Sequence, residues 1–389
     1  MAIVFEDIPI GQLCTKVTTG STPLRSRQDY YEAGTFDWYK TGELKDWYLE
    51  AAEERITEKA FDETSVKLFP AETVLMAMYG DGKTITSLGM LRSPAATNQA
   101  CSAMIVDERK CSARYFFYAL KARRHVLLKM AYGGAQRNLT GKLIREFPLP
   151  VPSLPNQQRI AGILSAYDEL IENNKRRIRV LEEIARTLYR EWFINSRDQS
   201  TAKYTFGDLC ELMKEPFNEL VHADRRLLDL SRIPQRFIAP LETADPGELK
   251  TSRIVFEPGD TLFGAIRCYL HKVVTAPFPG VTNTSVFVLR PKKWIFRSLT
   301  AIVASELETI RWAETHSSGM KMPVLSWSVF RTMPIPLSSE ASAQRYESIV
   351  GAMLETIGVL ARAIQSLRQT RDLLLPRLLA EAPIPEDET

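Results

Sequence analysis

At 389 residues the chain has room for two or three domains, and 45% hydrophobic with 25% charged residues is typical of a globular protein. No apolar run approaches the ~18 residues of a membrane span, and the N-terminus lacks the basic and then apolar pattern of a signal peptide. Five scattered cysteines without metal-ligand spacing predict reduced thiols in a cytoplasmic protein and no metal site. Because no membrane span is present, we expect no membrane among its partners.

The net charge of +3 excludes little, but the charges are unevenly distributed along the chain. Residues 1–108 contain 10 Lys and Arg against 17 Asp and Glu, whereas residues 109–150 contain 10 against 1. Residues 251–335 contain 10 against 5, so a basic segment recurs in the second half. This recurrence favours a polyanion such as nucleic acid as a partner, with solvated helix faces as the alternative.

The first 25 residues alternate apolar and polar side chains and then reach GSTP (20–23), which predicts a strand that runs into a turn. Hydroxyl and cationic side chains cluster here, with no carboxylate between Lys16 and Asp29. Such donors suit phosphate oxygens or base edges, and an ordinary polar turn is the alternative. The candidate DNA-binding residues of this stretch are Lys16, Thr19, Ser21, Thr22, Arg25 and Arg27.

Residues 36–47 (FDWYKTGELKDW) are rich in aromatic side chains, which we expect in the core with Lys40 and Thr41 presented at its rim. An apolar, strand-like run over residues 66–79 is followed by GDGKT. This loop departs from the phosphate-binding pattern GxxxxGK[ST], and no long helix follows it. We therefore expect a glycine-rich hairpin, with Lys83 as a further candidate for contact with a DNA backbone.

The segments TNQ (97–99) and TNTS (282–285) each begin an apolar run. Asn and Gln can hold adenine through two hydrogen bonds, and amides that brace a loop are the alternative. Helical patterns over residues 112–131 and 295–313 are each followed by a loop of small residues with a cation. These segments add the candidates Asn98, Gln99, Gln136, Arg137, Asn138, Asn283 and Lys321.

Residues 155–193 carry a 4-3 repeat of apolar side chains that is broken only by Asn174. Such a repeat predicts a helix of roughly 58 Å that packs along its length on another helix. The proline at its start suits a first helical turn. The predicted packing seam comprises Ile160, Leu164, Tyr167, Ile171, Asn174, Ile178, Leu181, Ala185, Leu188 and Trp192.

The second half repeats this plan at an offset of 186 residues. REFPLP (145–150) aligns with RTMPIP (331–336), and the seam recurs with Arg371 as its one charged member. The chain is therefore a tandem duplication of a globular domain and a long helix. The second seam comprises Tyr346, Val350, Met353, Ile357, Leu360, Ile364, Leu367, Arg371, Leu374 and Leu378.

The second globular part keeps the glycine turn, the Thr-Asn pair and the MPIP exit, but its loops carry different polar residues. A shared scaffold with divergent loops predicts two readers of two different sequences. Pro376 should end or kink the second helix, and the acidic, proline-rich tail after it is expected to be disordered. The candidate DNA-binding residues of these loops are Arg225, Arg226, Arg232, Arg267 and Lys272.

Several short motifs are each weak evidence for a protein family, but the order in which they occur is specific. GSTP, KTGEL, LMAMYG, ATNQACSA, GGAQRNLT and the entry into the first long helix follow one another, and the helix entry is repeated as MPIPL and AQRY. In this order and duplication the chain resembles the specificity subunit of a Type I restriction–modification system over nearly its whole length. The second half departs from the pattern, with SSGMKM in place of GGAQRN.

The resemblance implies an α+β fold in which two globular α/β target recognition domains are separated by two long helices packed as an antiparallel coiled coil with pseudo-twofold symmetry. Each domain is then expected to read one half of a split sequence in double-stranded DNA. Two methyltransferase subunits, which bind S-adenosylmethionine, and motor/nuclease subunits, which use ATP and Mg, are the implied partners. The expected segments are recognition domains 1–152 and 198–337, long helices 153–197 and 338–380, and a disordered tail 381–389.

The residues independently argue against catalysis by this chain. It has no methyltransferase loop of the Asn-Pro-Pro-Tyr type, no Walker lysine motif and no nuclease carboxylate grouping, and its four histidines are isolated. We therefore expect a non-catalytic subunit without a cofactor of its own. The alternatives are the specificity subunit of a methylation-only or Type IIB-like complex, a nucleic-acid adaptor outside restriction, and a coiled-coil scaffold that does not read DNA.

Overall fold

The structure is a computed structural model that describes residues 3–80, 84–132, 138–195, 204–337 and 339–379. The chain divides into two compact units. Unit 1 consists of Met1–Glu169 and Gln369–Thr389, and unit 2 of Leu170–Arg368. The five segments expected from the sequence separate the globular parts from the long helices, which is a different division, so their boundaries stay predictions. The predicted acidic tail lies outside the described residues.

Unit 1 contains a four-stranded antiparallel sheet, a three-stranded sheet and a two-stranded sheet within its described residues. The strands are β1 (Glu6–Pro9), β2 (Cys14–Thr19), β3 (Phe36–Tyr39), β4 (Glu54–Ile56), β5 (Val74–Ala77), β6 (Leu88–Met90), β7 (Ala96–Thr97), β8 (Cys101–Val106) and β9 (Pro148–Val151). The sheet orders are β2-β8-β5-β6, β4-β3-β7 and β1-β9. Strand β3 runs antiparallel to β4 and parallel to β7.

The helices of unit 1 include the first part of a long helix that continues into unit 2 after Glu169. They are α1 (Ile10–Leu13), α2 (Glu58–Glu63), α3 (Ala113–Ala122), α4 (Arg124–Tyr132), α5 (Gly141–Glu146) and the long helix α6 (Leu154–Tyr189). The helical pattern over residues 112–131 is thus realised as two helices with a break at Arg123. Helix α3 buries Tyr115, Phe116, Phe117 and Tyr118 completely in the core.

Unit 2 repeats the three kinds of sheet. Its strands are β10 (Tyr204–Thr205), β11 (Cys210–Met213), β12 (Arg226–Leu227), β13 (Arg253–Phe256), β14 (Thr261–Gly264), β15 (Val273–Thr275), β16 (Gly280–Asn283), β17 (Val286–Pro291) and β18 (Pro334–Ile335). Its helices are α7 (Phe206–Leu209), α8 (Arg297–Ser305), α9 (Leu307–Thr315), α10 (Trp327–Phe330) and most of the second long helix α11 (Glu340–Leu379), which belongs to unit 1 from Gln369 onward. The sheet orders are β11-β17-β14-β15, β12-β16-β13 and β10-β18.

The duplication therefore extends to the sheets, with one difference. The four-stranded sheets correspond strand for strand, and each three-stranded sheet contains one parallel pair, β3 with β7 and β12 with β16. The remaining strand joins β3 in unit 1 but joins the other member of the parallel pair, β16, in unit 2. The two units thus share their scaffold sheet and differ in the small sheet that carries the polar loops.

The two long helices pack antiparallel. In unit 2 the Tyr346 hydroxyl near the start of α11 donates to the Ala185 carbonyl near the end of α6, at 2.8 Å. In unit 1 Arg371 near the end of α11 pairs with Asp168 in the first half of α6. The buried seam residues are Ile160, Leu164, Ile171, Ile178, Ala185, Tyr346, Val350, Ile357, Leu360 and Ile364, and the half-buried ones are Tyr167, Asn174, Leu181, Leu188, Met353, Leu367, Arg371, Leu374 and Leu378.

Trp192, the last residue of the predicted first seam, is 38% exposed, but its ring packs edge-on against Tyr346 of α11, with the ring centroids 6.3 Å apart. Helix α6 changes to a π-helix over Arg190–Ile194, and a π-turn contains an extra residue. Tyr189 and Phe193 on either side are buried, at 4% and 5% exposure. Phe193 packs edge-on against Tyr346, with the ring centroids 5.4 Å apart.

Helix α11 does not end at Pro376 but continues to Leu379. Pro376 removes one backbone donor in the last turn, where little of the helix remains to be disrupted. Leu375 and Leu379 on either side are buried in the core of unit 1. Their burial, worth about 1.5–3 kcal/mol per side chain, holds this turn in place.

In unit 2 the helical pattern over residues 295–313 is split into α8 and α9 at Glu306, which has an extended backbone. The Glu306 side chain is 4% exposed, and both of its oxygens are bound by arginines of the first long helix. Arg186 donates to one oxygen at 3.0 Å and Arg190 to the other at 2.9 Å. This break therefore ties α6 to the globular part of unit 2.

Candidate nucleic-acid interface

The turn after β2 lies directly against the loop between β7 and β8. A Cβ atom at Gly20 would lie 2.0 Å from the Thr97 carbonyl oxygen, so only glycine fits this approach. The Ser21 amide donates to the same oxygen at 2.9 Å. The two segments GSTP and TNQ therefore lie together on one surface of unit 1. Their side chains meet at Thr22 and Gln99, which are 77 positions apart in the sequence.

Three of the predicted segments meet at this surface. Thr22 donates its hydroxyl proton to the Gln99 side-chain oxygen, and the Asn98 amide donates to the Tyr39 carbonyl at 3.1 Å. The Asn98 side chain accepts from the Ala100 amide at 3.2 Å and so braces its own loop.

Trp38, Tyr39 and Trp47 are buried as expected, which leaves Lys40 at the rim. We call this surface the unit 1 patch, comprising Ser21, Thr22, Arg25, Lys40, Gln99 and Glu54.

The cations of the unit 1 patch share one carboxylate. Arg25 donates to Oε2 of Glu54, while Lys40 donates to Oε1 at 2.9 Å and to Glu53 at 3.2 Å. The hydrogen bond from Arg25, followed by that from Lys40, lowers the pKa of Glu54, and the same bonds raise the pKa of Arg25 and of Lys40. All three groups are therefore charged at neutral pH.

Other candidates of unit 1 lie apart from these contacts. Arg27 pairs with Asp29 at 2.7 Å and with Glu63 at 3.2 Å. Lys16 is exposed on β2, and Thr19 at the end of that strand is half-buried. Thr41 is half-buried at the start of the 3-10 turn Thr41–Glu43.

The glycine-rich loops of unit 1 are only partly described. Lys83, Gln136 and Arg137 lie outside the described residues, so their predicted roles stay predictions. Asn138 is exposed, and the next amide, that of Leu139, donates to the Met78 carbonyl at 2.8 Å. Asn138 is therefore held beside the segment that follows β5.

Three arginine candidates of unit 2 are held by neighbouring groups. Arg225 pairs with Glu257 at 2.8 Å, and Arg232 pairs with Asp229 at 3.2 Å and Glu248 at 2.5 Å. Arg226 donates to the Gln365 side chain of α11 at 3.4 Å and lies over the Phe278 ring. These side chains are thus placed in ion pairs or against the long helix.

Arg267 and Lys321 lie on adjoining segments of unit 2. Ile266 forms a β-bridge with Val324, and the Arg267 amide donates to the Pro323 carbonyl at 2.9 Å. Both cations are exposed, and neither forms an ion pair within the described residues. Arg267 has φ of 53°, a conformation that is uncommon for side chains other than glycine and that often occurs at functional sites.

The two remaining candidates of unit 2, Lys272 and Asn283, are half-buried. Lys272 donates to the Leu230 carbonyl at 2.6 Å. Asn283 ends the central strand β16, and its side-chain oxygen is buried without a hydrogen-bond partner among the described residues. Neither residue joins the exposed surface formed by Arg267 and Lys321.

The cysteines form no site. Within the described residues no group of three or more His, Cys, Asp or Glu could hold a metal ion. Burial raises the pKa of the Cys14 and Cys101 thiols to about 12, which keeps them neutral. Cys210 is buried, whereas Cys14 at the matching position of the first repeat is half-buried.

Sequence reasoning missed Glu54 and Tyr31 of the surface around Arg25. A carboxylate in an acidic stretch and an aromatic residue in a loop give no local pattern that points to a site. The signal that could have found Glu54 is the strand pairing, because β4 places Glu54 opposite Trp38 on β3.

The fold is that of a duplicated α+β protein with two long antiparallel helices and a polar surface on unit 1. Residues 4–183 match the family model described as "Type I restriction modification DNA specificity domain". The chain is therefore similar to Type I restriction–modification specificity subunits.

Proteins and a solved structure that are similar to this chain are specificity subunits of Type I systems. A Type I restriction enzyme specificity subunit of Methanocaldococcus jannaschii is 27% identical over 406 aligned positions, which cover 94% of this chain and 90% of that protein. One from Escherichia coli is 28% identical over 155 positions, or 39% of this chain and 38% of that protein. The crystal structure of a Type I system S subunit from M. genitalium has the same fold, with a TM-score of 0.60 at 16% identity over 98% of this chain and 97% of that one.

In the described part of the chain, no helix combines the length and the apolar character that crossing a membrane requires.

Proposed function

We propose that this chain is the non-catalytic DNA-recognition subunit of a Type I restriction–modification complex. Its first globular part reads one half of a split target in double-stranded DNA and its second globular part reads the other half. The observation that carries the proposal is the convergence of Thr22, Arg25 and Gln99 on one surface built on the scaffold sheet of unit 1. Unit 2 repeats that scaffold sheet with different loop residues.

The long helices set the number of unread base pairs between the half-sites and dock the partner subunits. Two methyltransferase subunits supply S-adenosylmethionine-dependent chemistry, and motor/nuclease subunits use ATP and Mg. This chain contributes DNA contacts and holds no cofactor. The support is the absence of a methyltransferase loop, a Walker motif and a nuclease grouping from its sequence.

The test is to express this chain with its methyltransferase subunit in a host without adenine methylation and to sequence the methylome. We expect one split motif that is methylated only when both proteins are present. Replacing residues 21–45 by the equivalent loop of a relative should change one half of the motif. A change in both halves would contradict independent readers, and an absence of any motif would favour the scaffold alternative.

Catalysis is tested separately with the purified chain. It should neither methylate nor cut DNA when S-adenosylmethionine, ATP and Mg are supplied. Methyl transfer by a preparation free of other subunits would overturn the non-catalytic role. A complex that methylates but never cuts, even with motor/nuclease subunits added, would identify the methylation-only alternative.

A further inference from the structure

Glu54 occupies an unusual place for an acidic residue on a surface proposed to bind DNA. It is the first residue of β4, and the two oxygens of its carboxylate bind two different cations, Arg25 and Lys40. A carboxylate repels phosphate, so its presence between the two cations of the unit 1 patch argues against a simple phosphate-binding role for them.

The Arg25 guanidinium is held on two further sides. Its central carbon lies 4.8 Å from the ring centroids of both Tyr31 and Trp38, which meet edge to face. Both rings are themselves fixed, because the Trp38 indole donates to the Ser21 carbonyl at 3.0 Å and the Tyr31 hydroxyl donates to the Pro23 carbonyl at 2.6 Å. The side chain of Arg25 is nevertheless 50% exposed.

This arrangement suits recognition of a base edge. A planar guanidinium with a fixed orientation can donate two parallel hydrogen bonds to O6 and N7 of guanine. A phosphate contact requires only a positive charge within reach, as the exposed Arg267 and Lys321 of unit 2 offer. The ion pairs thus divide the candidate cations into oriented ones, such as Arg25, and free ones.

We propose that Glu54 is a positioning residue for sequence recognition: it orients Arg25 toward base edges of the first half-site and keeps Arg25 and Lys40 from binding phosphates non-specifically. The proposal rests on the proposed function, and it adds that part of the specificity comes from a carboxylate that does not itself need to touch DNA. Loss of Glu54 frees Arg25 from its ion pair and leaves Lys40 paired with Glu53 alone, which strengthens binding to all sequences while weakening discrimination.

The test uses Glu54→Gln in the full chain, assembled with its methyltransferase subunits. Affinities for cognate and non-cognate duplexes are measured between 50 and 200 mM salt. We expect the ratio of the two affinities to fall roughly 5- to 150-fold, the range for losing one bidentate base contact. The slope of log affinity against log salt should steepen by about 0.9 if the freed Arg25 binds a phosphate.

Two matched variants separate positioning from a general loss of structure. Glu53→Gln removes a carboxylate that is 71% exposed and contacts Lys40 rather than Arg25, so the affinity ratio should change less than twofold. Arg25→Lys keeps the charge but removes the planar fork, so it should lose discrimination without steepening the salt slope. This variant tests the role of Arg25 even if Glu54→Gln fails to fold.

The outcomes are distinguishable from failure of the proposed function. If the wild-type complex shows no preference for any sequence, the proposed function fails. If the wild-type complex is specific but Glu54→Gln or Arg25→Lys retains its affinity ratio, the inference about Glu54 is overturned. Any loss of preference should be confined to one half-site, and an equal loss at both half-sites would also overturn it.

Discussion

Arg371, the one charged member of the second helix seam, pairs with Asp168 of the first long helix within unit 1. The Asp168 side chain is 4% exposed and that of Arg371 is 12% exposed. Tyr118 of α3 donates its hydroxyl proton to the second carboxylate oxygen at 2.7 Å. The apparent interruption of the seam is therefore one end of a buried polar contact that joins α3, α6 and α11.

Breaking this pair should destabilise unit 1 strongly. Asp168→Leu leaves the Arg371 charge without its buried partner and with only the exposed Asp372 beside it, and removing one member of a buried pair costs about 3–5 kcal/mol. Chemical unfolding followed by circular dichroism measures the loss. The triple variant Asp168→Leu, Arg371→Leu and Tyr118→Phe removes every polar group of the contact and should regain most of the stability. If the triple variant is no more stable than Asp168→Leu, the loss of stability comes from the missing polar contact and not from the buried Arg371 charge that Asp168→Leu leaves behind.

The length of the long helices should determine the unread gap of the proposed target. The insertion points are Asn174 and Leu360, which lie between the contacts of Ala185 with Tyr346 and of Asp168 with Arg371. Seven residues inserted after each keep the seam in phase and add about 10 Å to each helix. Methylome sequencing should show the gap widened by about one to three base pairs at 3.4 Å each, with both half-sites unchanged. An active variant with an unchanged gap would contradict this role.

Free and paired cations should differ in their salt dependence. Arg267→Ala or Lys321→Ala should weaken binding of all sequences together and reduce the salt slope by about 0.9 for each lost phosphate contact. Arg232→Ala is the control, because Arg232 is already paired with Asp229 and Glu248, and its slope should not change. An altered base preference with an unchanged slope would instead assign base contact to Arg267 or Lys321.

The stability of unit 1 should depend on pH through Asp46. Burial is the largest single influence and opposes its ionisation, but the hydrogen bonds and charge of Arg124, the charge of Lys121 and the hydrogen bond from the Leu88 amide together hold the pKa of Asp46 below its ordinary value of 3.8. Because the folded-state pKa is depressed, this stabilisation is complete above pH 3.8 and is lost as the pH falls through the folded-state value. Asp46→Asn should cost about 1–3 kcal/mol at pH 7.

The same variant provides the pH test. Thermal melts of the wild type and of Asp46→Asn should differ at pH 7 and converge as the pH falls below 3.8, because the wild-type carboxyl then becomes neutral as well. The substitution keeps a side chain that tolerates the positive φ of 61° at this position. A difference that stays constant down to the acid limit would assign the effect to packing.

The sequence by itself determined the duplication, the two long helices and the identity of the residues on their seam. These are periodic or repeated features, and a period of 3.6 residues or an offset of 186 positions is visible in one dimension. It also selected Thr22, Arg25, Lys40 and Gln99, because their residue types suit nucleic acid. The π-helix over Arg190–Ile194 was not predicted, because its extra residue leaves no mark in the local pattern.

Only the tertiary structure decided which of these residues act together. The pairing of Arg25 and Lys40 with Glu54 depends on where β4 lies, and that strand joins a different neighbour from its counterpart β13 in unit 2. Ion pairs between residues 14 or 29 positions apart have no periodicity, since they arise from strand pairing and loop closure. For the same reason Arg371 could be recognised as an interruption of the seam but not as the partner of Asp168.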